Sequence, residues 1–254
     1  MDLDLADRVA LVTGATGGIG AVVARMLATE GARVAVGYHR AKDQAERLAA
    51  ELSSATGEAI AVAHDLRDPA SLRAAVETVV ARWGSLDVLV ACAWESAGWS
   101  PPDRLAETVP VEEWQAQLRA NAEGTAYTVQ AVLPHMRERG FGRIVLLSSG
   151  AARGAPGMEP YGAAKAAVHG LARSLAQSAG PAGVIVNVVM PGLVPTPHHR
   201  ATIPAPALEA IARQTPTRRL STEDDVARLV VFLASPANGN TTGAEIPVTG
   251  GLYS

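Results

Sequence analysis

The chain has 254 residues, 48% of them hydrophobic, a formal net charge of −3 and no run of Lys or Arg, which argues against nucleic-acid binding. A single cysteine cannot form an internal disulfide or a cysteine-based metal site, and charges or prolines interrupt every apolar run before the roughly 18 residues of a membrane-spanning helix. Because the N-terminus MDLDLADR is acidic where a signal peptide would be basic, we expect a cytoplasmic protein that acts on a small molecule, without metal or membrane partners.

Short β-branched runs alternate with longer alanine-rich segments of helical period along the chain. The predicted strands are RVALVT, RVAVG, AIAVA, LDVLVA, RIVLLS, VIVNVV and EIPVTG, and the predicted helices cover about 19–30, 41–54, 71–83, 161–178 and 223–233, with an amphipathic segment at 111–139. This alternation predicts an α/β fold: a single doubly wound domain over residues 1–254, with a parallel sheet of about seven strands and helices on both faces.

The segment 192–216 differs from its surroundings, because it is rich in proline and holds two adjacent histidines, His198 and His199. A long segment between two well-formed elements is commonly a lid or a binding loop. We therefore expect a substrate lid here, with a plain surface excursion as the alternative. Neighbouring histidines diverge on a regular strand or helix, and no carboxylate lies close in sequence, so a metal site is not expected.

A glycine-rich turn, TGATGGIG, follows the first predicted strand and leads into the first predicted helix. Glycines allow a tight turn and a close approach to a pyrophosphate, whose charge is stabilised by the free N–H groups and the positive dipole end of the helix. A strand, a turn and a helix in this order are what a dinucleotide site requires. The candidate cofactor residues of the turn are Thr13, Gly14, Gly18, Ile19 and Gly20.

The second predicted strand ends in Tyr38, followed by His39 and Arg40, where dinucleotide-binding folds usually carry an acidic residue that bonds the ribose hydroxyls. An acid would repel a 2′-phosphate, whereas an arginine binds one through paired donors. His39 and Arg40 therefore predict that NADP(H) is preferred over NAD(H). The alternative is that Arg40 is a solvated residue at the start of the second helix.

The stretch YGAAK opens a predicted helix and places Tyr161 and Lys165 four residues apart, on one helix face. The ammonium group of Lys165 is expected to lower the pKa of the tyrosine, which is ordinarily about 10, by favouring the phenolate. Tyr161 is then a usable general acid and base.

Four motifs occur in a set order: TGATGGIG near the start, YGAAK after a serine pair, NVVMPGLVPTP after the next strand, and PVTGG near the end. Together they make the chain resemble the short-chain dehydrogenase/reductase family over nearly its whole length. The resemblance implies a Rossmann-type domain, a nicotinamide cofactor and interconversion of an alcohol and a ketone.

The resemblance also implies roles for individual residues. Tyr161 would donate a proton to the substrate carbonyl, and Lys165 would lower the pKa of Tyr161 and bond the nicotinamide ribose. Asn121, in RANAEG, resembles the asparagine that holds a water in the proton relay. Further expected cofactor contacts are Asp65 and Leu66 beside the adenine, Ala91 and Ala93 at the end of the fourth strand, and Pro191, Gly192, Val194 and Thr196 at the nicotinamide carboxamide.

Two neighbouring serines compete for the role of the family's catalytic serine, which polarises the substrate oxygen. Alignment from the strand RIVLLS selects Ser149, whereas the commonest family spacing back from Tyr161 selects Ser148. Neighbours on a strand point to opposite faces, so only one of them can serve. We predict Ser149, because the loop ARGAPGMEP can absorb a missing residue.

The chain departs from the family pattern after the fourth strand, where Ala-Cys-Ala-Trp at 91–94 replaces the usual Asn-Asn-Ala-Gly. This segment lies at the carboxyl end of a central strand, where open α/β sheets bind ligands. Cys92 is expected to be a small buried apolar residue. Trp94, Glu95 and Trp99 are expected to shape the substrate pocket, and tryptophan offers a flat wall suited to an aromatic or polycyclic substrate.

These expectations combine into an NADPH-dependent ketoreductase that transfers hydride to a cyclic or polyketide-type ketone or to a 3-oxoacyl group, similar to the reductases of 3-oxoacyl chains and of polyketide biosynthesis. The alternatives are an NAD-dependent alcohol dehydrogenase running towards oxidation and a non-catalytic NADP(H)-binding sensor or scaffold protein.

An acyl-carrier partner would call for basic residues near the site, for which Arg137, Arg139 and Arg143 are candidates. However, Ala182 stands before Gly183 where carrier-using relatives often have arginine, so a free ketone is the preferred substrate. The helix that begins at Tyr161 is apolar enough to indicate a second covered surface, and the resemblance to the family predicts a homotetramer.

Overall fold

A computed structural model of the chain describes residues 2–55, 57–96, 100 and 102–252. Its strands are β1 (Val9–Thr13), β2 (Arg33–Tyr38), β3 (Ala59–Ala63), β4 (Val88–Ala91), β5 (Gly142–Leu147), β6 (Val184–Pro191) and β7 (Glu245–Val248). Within this part of the chain they form a seven-stranded sheet in the order β3-β2-β1-β4-β5-β6-β7, and every neighbouring pair is parallel. The predicted α/β fold, with a Rossmann-type parallel sheet, is confirmed.

The connections between the strands are helical, as the alternating pattern predicts. The α-helices are α1 (Gly18–Thr29), α2 (Lys42–Ala55), α3 (Pro69–Trp83), α4 (Val111–Leu118), α5 (Thr125–Arg139), α6 (Glu159–Ala179), α7 (Pro197–Thr202), α8 (Ala205–Gln214) and α9 (Glu223–Leu233). The helix α9 begins and ends at the predicted residues, and the segment 192–216 contains α7 and α8. No helix within the described ranges is long and apolar enough to cross a bilayer.

Successive residues of a strand point to opposite faces of the sheet, and helices cover both faces. Val12 and Val90 pack on one face with apolar residues of α1 and α9. Leu11 and Leu89 pack on the other face with residues of α3, α5 and α6. Burial on both faces explains why the strands read as nearly continuous apolar runs.

Capping residues explain why several helix boundaries are visible in the sequence. The side chain of Asp68 accepts a hydrogen bond from the N–H of Ala70 at 2.9 Å where α3 begins, and α3 ends at Gly84 with a left-handed φ of +76°. Thr222 and Asp225 form a reciprocal capping box at the start of α9.

The predicted amphipathic segment 111–139 is not one regular helix. A π-helical turn, Arg119–Gly124, separates α4 from α5. Such turns insert hydrogen bonds between residues five apart and frequently occur at functional sites. Asn121 lies in this turn and is buried.

The edge of the sheet where the strands begin carries a group of contacting charged and aromatic side chains. We call these residues the amino-edge cluster: Arg8, Asp87, Arg139, Phe141 and Arg143. The Asp87 carboxylate, in a residue only 1% exposed, accepts the N–H of Val9 at 2.9 Å and lies 3.2 Å from Arg139 Nε. The guanidinium carbons of Arg8 and Arg143 lie 4.1 and 4.4 Å from the centroid of the Phe141 ring.

This cluster corrects the expectation that Arg137, Arg139 and Arg143 could bind an acyl carrier near the site. Arg143 is the second residue of β5 and is in register with Val88, the first residue of β4, so it lies where the strands begin. Arg137 donates to the carbonyl oxygen of Ser178 at 2.9 Å. Ligands of open parallel sheets bind at the carboxyl ends of the strands. These arginines lie at the other edge of the sheet and are therefore not near the expected site.

Candidate active site

The turn between β1 and α1 is packed so tightly that it requires glycine. Gly14 has a left-handed φ of +62°, and a Cβ atom there would lie 2.8 Å from the Cα atom of Ala93. A Cβ atom on Gly20 would overlap the carbonyl oxygen of Gly14. The hydroxyl of Thr13 accepts the N–H of Ala93 at 3.0 Å, so the turn is also tied to the chain that follows β4. Ile19, in contrast, packs against the hydrophobic core.

The start of α1 has the character of a diphosphate site. The N-cap residue is Gly17, which has no side chain to cap the helix, and the space where a side chain would stand is open. The first turn of the helix contains no acidic residue. Uncapped N–H groups and the positive end of the helix dipole favour an anion at this place. The residues of the turn therefore fit a dinucleotide, with the diphosphate at α1.

The residues expected beside the adenosine lie at the carboxyl ends of β2 and β3. His39 Nε2 lies 3.2 Å from a carboxylate oxygen of Asp65, and the carbonyl oxygen of Leu66 closely faces Gly124. Arg40 is exposed and has no partner among the described residues. Its guanidinium is therefore available to a ligand.

The segment after β6 returns to the glycine-rich turn. Gly192, next to Pro191, donates its N–H to the carbonyl oxygen of Val248 at 3.0 Å. A Cβ atom on Gly18 would lie 3.1 Å from the methyl group of Thr196, whose hydroxyl caps α7. The structure thus brings the predicted nicotinamide segment, with buried Val194, against the predicted diphosphate turn.

The two neighbouring serines have different partners. Ser149 lies close enough to Tyr161 to oppose the rise of its pKa, and its hydroxyl oxygen accepts the N–H of Ala151 at 3.2 Å. Ser148 is buried, and its hydroxyl donates to the carbonyl oxygen of Lys165 at 3.1 Å and lies 2.6 Å from His169 Nε2. Of the two, Ser149 is the serine that shares a site with the Tyr161 phenol.

Burial sets the protonation of Tyr161 and Lys165. It raises the pKa of Tyr161 to about 12, opposed by the hydrogen bond from Ser149, and lowers the pKa of Lys165 to about 8. The ammonium nitrogen of Lys165 donates to the carbonyl oxygen of Leu147 at 2.9 Å and lies 5.9 Å from the centroid of the Tyr161 ring. Burial is the largest cause of the shift at Tyr161, and the lowering of its pKa by Lys165 stays a prediction.

Cys92 lies beside this pair. Burial raises the pKa of its thiol to about 12, and the charge of Lys165 opposes that rise. A thiol with so high a pKa stays protonated and is a poor nucleophile. This agrees with the expectation of a packing role for Cys92.

Asn121 holds the chain that leaves β4. Its side-chain oxygen accepts the N–H of Glu95 at 3.0 Å, while its amide nitrogen donates to the carbonyl oxygen of Glu95 at 3.1 Å and to Gln117 at 2.9 Å. The Glu95 carboxylate pairs with Arg67, in the loop after β3. The carboxylate of Glu95 is thus engaged with that loop, although its backbone borders the site.

An aromatic cluster covers Tyr161. The ring centroid of Trp94 lies 5.9 Å from Tyr161 in an edge-on contact, 5.9 Å from His198 and 6.0 Å from His199. The sequence indicated Trp94 as a pocket wall but gave no reason to bring α7 onto it. Trp99, predicted beside it, lies outside the described residues.

Comparison with known proteins agrees with this geometry. Residues 14–253 match the family model described as enoyl-(acyl carrier protein) reductase. The short-chain reductase protein NovJ of Streptomyces niveus is 38% identical over 96% of this chain and 94% of its own length. The chain belongs to the short-chain dehydrogenase/reductase family.

Short-chain dehydrogenases/reductases are oxidoreductases that act on an alcohol or ketone with a nicotinamide cofactor, so the coarse prediction of activity is confirmed. The D-threitol dehydrogenase of Mycolicibacterium smegmatis is 39% identical over 98% of this chain and 94% of its own length. Among solved structures, a 7α-hydroxysteroid dehydrogenase in complex with NADH and 7-oxo glycochenodeoxycholic acid has a TM-score of 0.91 and 29% identity, covering 98% of this chain and 96% of its own.

Sequence reasoning about this short-chain dehydrogenase/reductase missed three side chains near the site. Gln117 accepts a hydrogen bond from the amide of Asn121, and His169 Nε2 lies 2.6 Å from the hydroxyl oxygen of Ser148. His199 reaches Trp94. Helical spacing alone signals the first, since Gln117 and Asn121 are four residues apart, while the other two contacts arise between distant elements.

Proposed function

We propose that the protein is an NADPH-dependent ketoreductase in which Tyr161 is the general acid. The observation that carries this proposal is the position of Tyr161, which lies next to Ser149 and has the buried ammonium nitrogen of Lys165 at 5.9 Å from the centroid of its ring. The bound cofactor supplies the hydride. With a pKa of about 12 the phenol is protonated at neutral pH, which is the form that can donate a proton to a carbonyl oxygen.

The other residues of the site position this acid. Ser149 holds the phenol and donates to the same substrate oxygen as negative charge develops on it. Lys165, fixed by the carbonyl of Leu147, bonds the nicotinamide ribose and adds positive charge beneath the site. Asn121 keeps the chain after β4 in place through Glu95 and continues the proton relay.

The substrate that fits best is a cyclic ketone. Trp94 presents a ring that is 40% exposed next to Tyr161, and a flat apolar wall favours a ring system. The 7α-hydroxysteroid dehydrogenase, a structural relative, was solved with a polycyclic 7-oxo compound. A 3-oxoacyl group is the competing substrate, supported by a 36% identical 3-oxoacyl-[acyl-carrier-protein] reductase of Staphylococcus aureus.

NADPH is proposed because Arg40 is exposed and without a partner in the described part of the chain, and can therefore meet a 2′-phosphate. A second candidate is an NAD-dependent alcohol dehydrogenase. Two relatives favour this alternative. One is named a D-threitol dehydrogenase, and the other, the 7α-hydroxysteroid dehydrogenase, was solved with NADH.

The test follows the loss of NADPH absorbance with a decalone, a 3-oxoacyl thioester and a polycyclic quinone, with NADH as the parallel cofactor. Faster turnover of the decalone with NADPH than with NADH is expected. Equal rates with both cofactors, or alcohol oxidation with NAD alone, would favour the second candidate. Cofactor binding without turnover of any ketone or alcohol would favour a non-catalytic sensor.

A further inference from the structure

The imidazole of His199 has a fixed orientation. Its Nδ1 atom lies 2.6 Å from the carbonyl oxygen of Val194 and 3.2 Å from the hydroxyl oxygen of Thr196. A carbonyl oxygen only accepts hydrogen bonds, so Nδ1 carries the proton. In the neutral ring Nε2 is then an acceptor, and it has no partner among the described residues.

The surroundings of His199 keep its ring neutral. Burial is the largest cause of its lowered pKa, and the charge of His198 acts in the same direction. Val194 and Thr196 belong to the segment proposed to contact the nicotinamide, so the anchor of the imidazole is itself part of the site. The unprotonated Nε2 atom therefore belongs to a ring that Val194 and Thr196 hold in place.

Trp94 separates this acceptor from the proposed acid. The ring of Trp94 lies 5.9 Å from that of Tyr161 and 6.0 Å from that of His199. A planar molecule resting on Trp94 with its carbonyl at Tyr161 extends its other end towards His199. A polar group at that end would meet an acceptor and no competing donor from this ring.

We propose that His199 is a specificity-determining residue that accepts a hydrogen bond from a hydroxyl group on the substrate, and that the substrate is an aromatic ketone with a phenolic hydroxyl. This rests on the proposed function, because the ketone must also reach Tyr161. A methoxy group at the same position offers no donor, so Nε2 would be desolvated without a partner.

The experiment compares 5-, 6- and 7-hydroxy-1-tetralone with their methoxy counterparts. Both kcat/KM with NADPH and the Kd by calorimetry are measured. At one ring position the wild-type protein is expected to prefer the hydroxyl compound by about tenfold, the size of one hydrogen bond. His199→Phe keeps a ring against Trp94 and should abolish the preference, and His199→Gln, with an amide oxygen near the place of Nε2, should restore part of it.

His198→Phe is the matched control, because His198 also touches Trp94 but makes no described hydrogen bond to Val194. This variant should change kcat/KM for the hydroxy and methoxy compounds by the same factor, so the preference for the hydroxyl compound should remain. The proposal is overturned if the wild-type protein shows no preference at any position, or if His199→Phe retains it. A preference in Kd that depends on His199, without turnover of either compound, would support the acceptor while the ketoreductase function fails.

Discussion

The two edges of one sheet are built in different ways. At the amino edge, the buried Asp87 carboxylate accepts the N–H of Val9 and lies beside the guanidinium of Arg139, and Arg8 and Arg143 lie over the Phe141 ring. At the carboxyl edge, Lys165 is buried and Tyr161 is half-buried, and burial displaces the pKa values of both. The strands therefore begin among paired charges at one edge and end, at the other edge, beside an acid and an amine whose pKa values are displaced.

This difference separates stability from chemistry. A buried charge with its partners resists change, and removing one member of the group destabilises the fold. A buried acid and amine whose charged forms are disfavoured cost stability but have protonation states that a reaction can use. We therefore expect substitutions at the carboxyl edge to affect turnover and those at the amino edge to affect unfolding.

The largest effect is expected for Tyr161→Phe. It removes the proposed proton donor and should lower kcat by about 10²- to 10⁴-fold, the range for a general acid, while cofactor binding persists. Steady-state kinetics and a thermal melt measure both quantities. Tyr127→Phe, at an exposed tyrosine, is the control, and near wild-type turnover in Tyr161→Phe would rule out this acid.

The neighbouring serines sharpen the comparison within one edge. Ser149→Ala removes a donor to the developing oxyanion and should lower kcat by about 10²-fold. Ser148→Ala removes the link to His169 and Lys165, so it should cost about 1 kcal/mol of unfolding free energy with a smaller loss of rate. Urea denaturation and initial rates compare the two variants, and reversed effects would assign the catalytic role to Ser148.

Asp87→Ala tests the contribution of the amino edge to stability. The N–H of Val9 loses its acceptor and Arg139 loses its partner, so the free energy of unfolding should fall by about 2 to 3 kcal/mol. Urea denaturation measures this loss, with the exposed Asp103→Ala as control. A large fall in kcat at temperatures where the variant is folded would contradict the separation of the two edges.

The smallest effect is expected at Arg40. Arg40→Ala should raise KM for NADPH by about tenfold, the value of one charge-assisted contact to phosphate, and leave KM for NADH nearly unchanged. Arg47→Ala, at an exposed arginine of α2, is the control. An equal rise for both cofactors would remove the argument for NADP(H).

The parts of the fold encoded by local signals were predictable. The apolar runs specify the strands, and Asp68, Gly84 and the capping residues Thr222 and Asp225 specify helix ends. The glycine-rich turn was also visible, because a tight turn needs glycine wherever it occurs.

Contacts between distant elements were not predictable. His199 and Trp94 are more than one hundred residues apart, and no periodicity relates them. The raised pKa of Tyr161 was not predictable for a similar reason. Sequence spacing places Lys165 on the same helix face, but only the packing decides how deeply the phenol is buried. The position of Arg143, in contrast, follows from the predicted parallel sheet, because Arg143 begins the strand RIVLLS and so lies at the edge where the strands begin.

The π-helical turn Arg119–Gly124 makes chain length itself a constraint. Removing one residue from it would leave an ordinary α-helical turn and shift the residues of the turn by one position relative to α4 or α5. The side chain of Asn121 would then be displaced from the backbone of Glu95, which it now holds through two hydrogen bonds. Single-residue deletions here should therefore be more damaging than most substitutions, and a sequence alignment that opens a gap inside this turn misplaces the residues on one side of it.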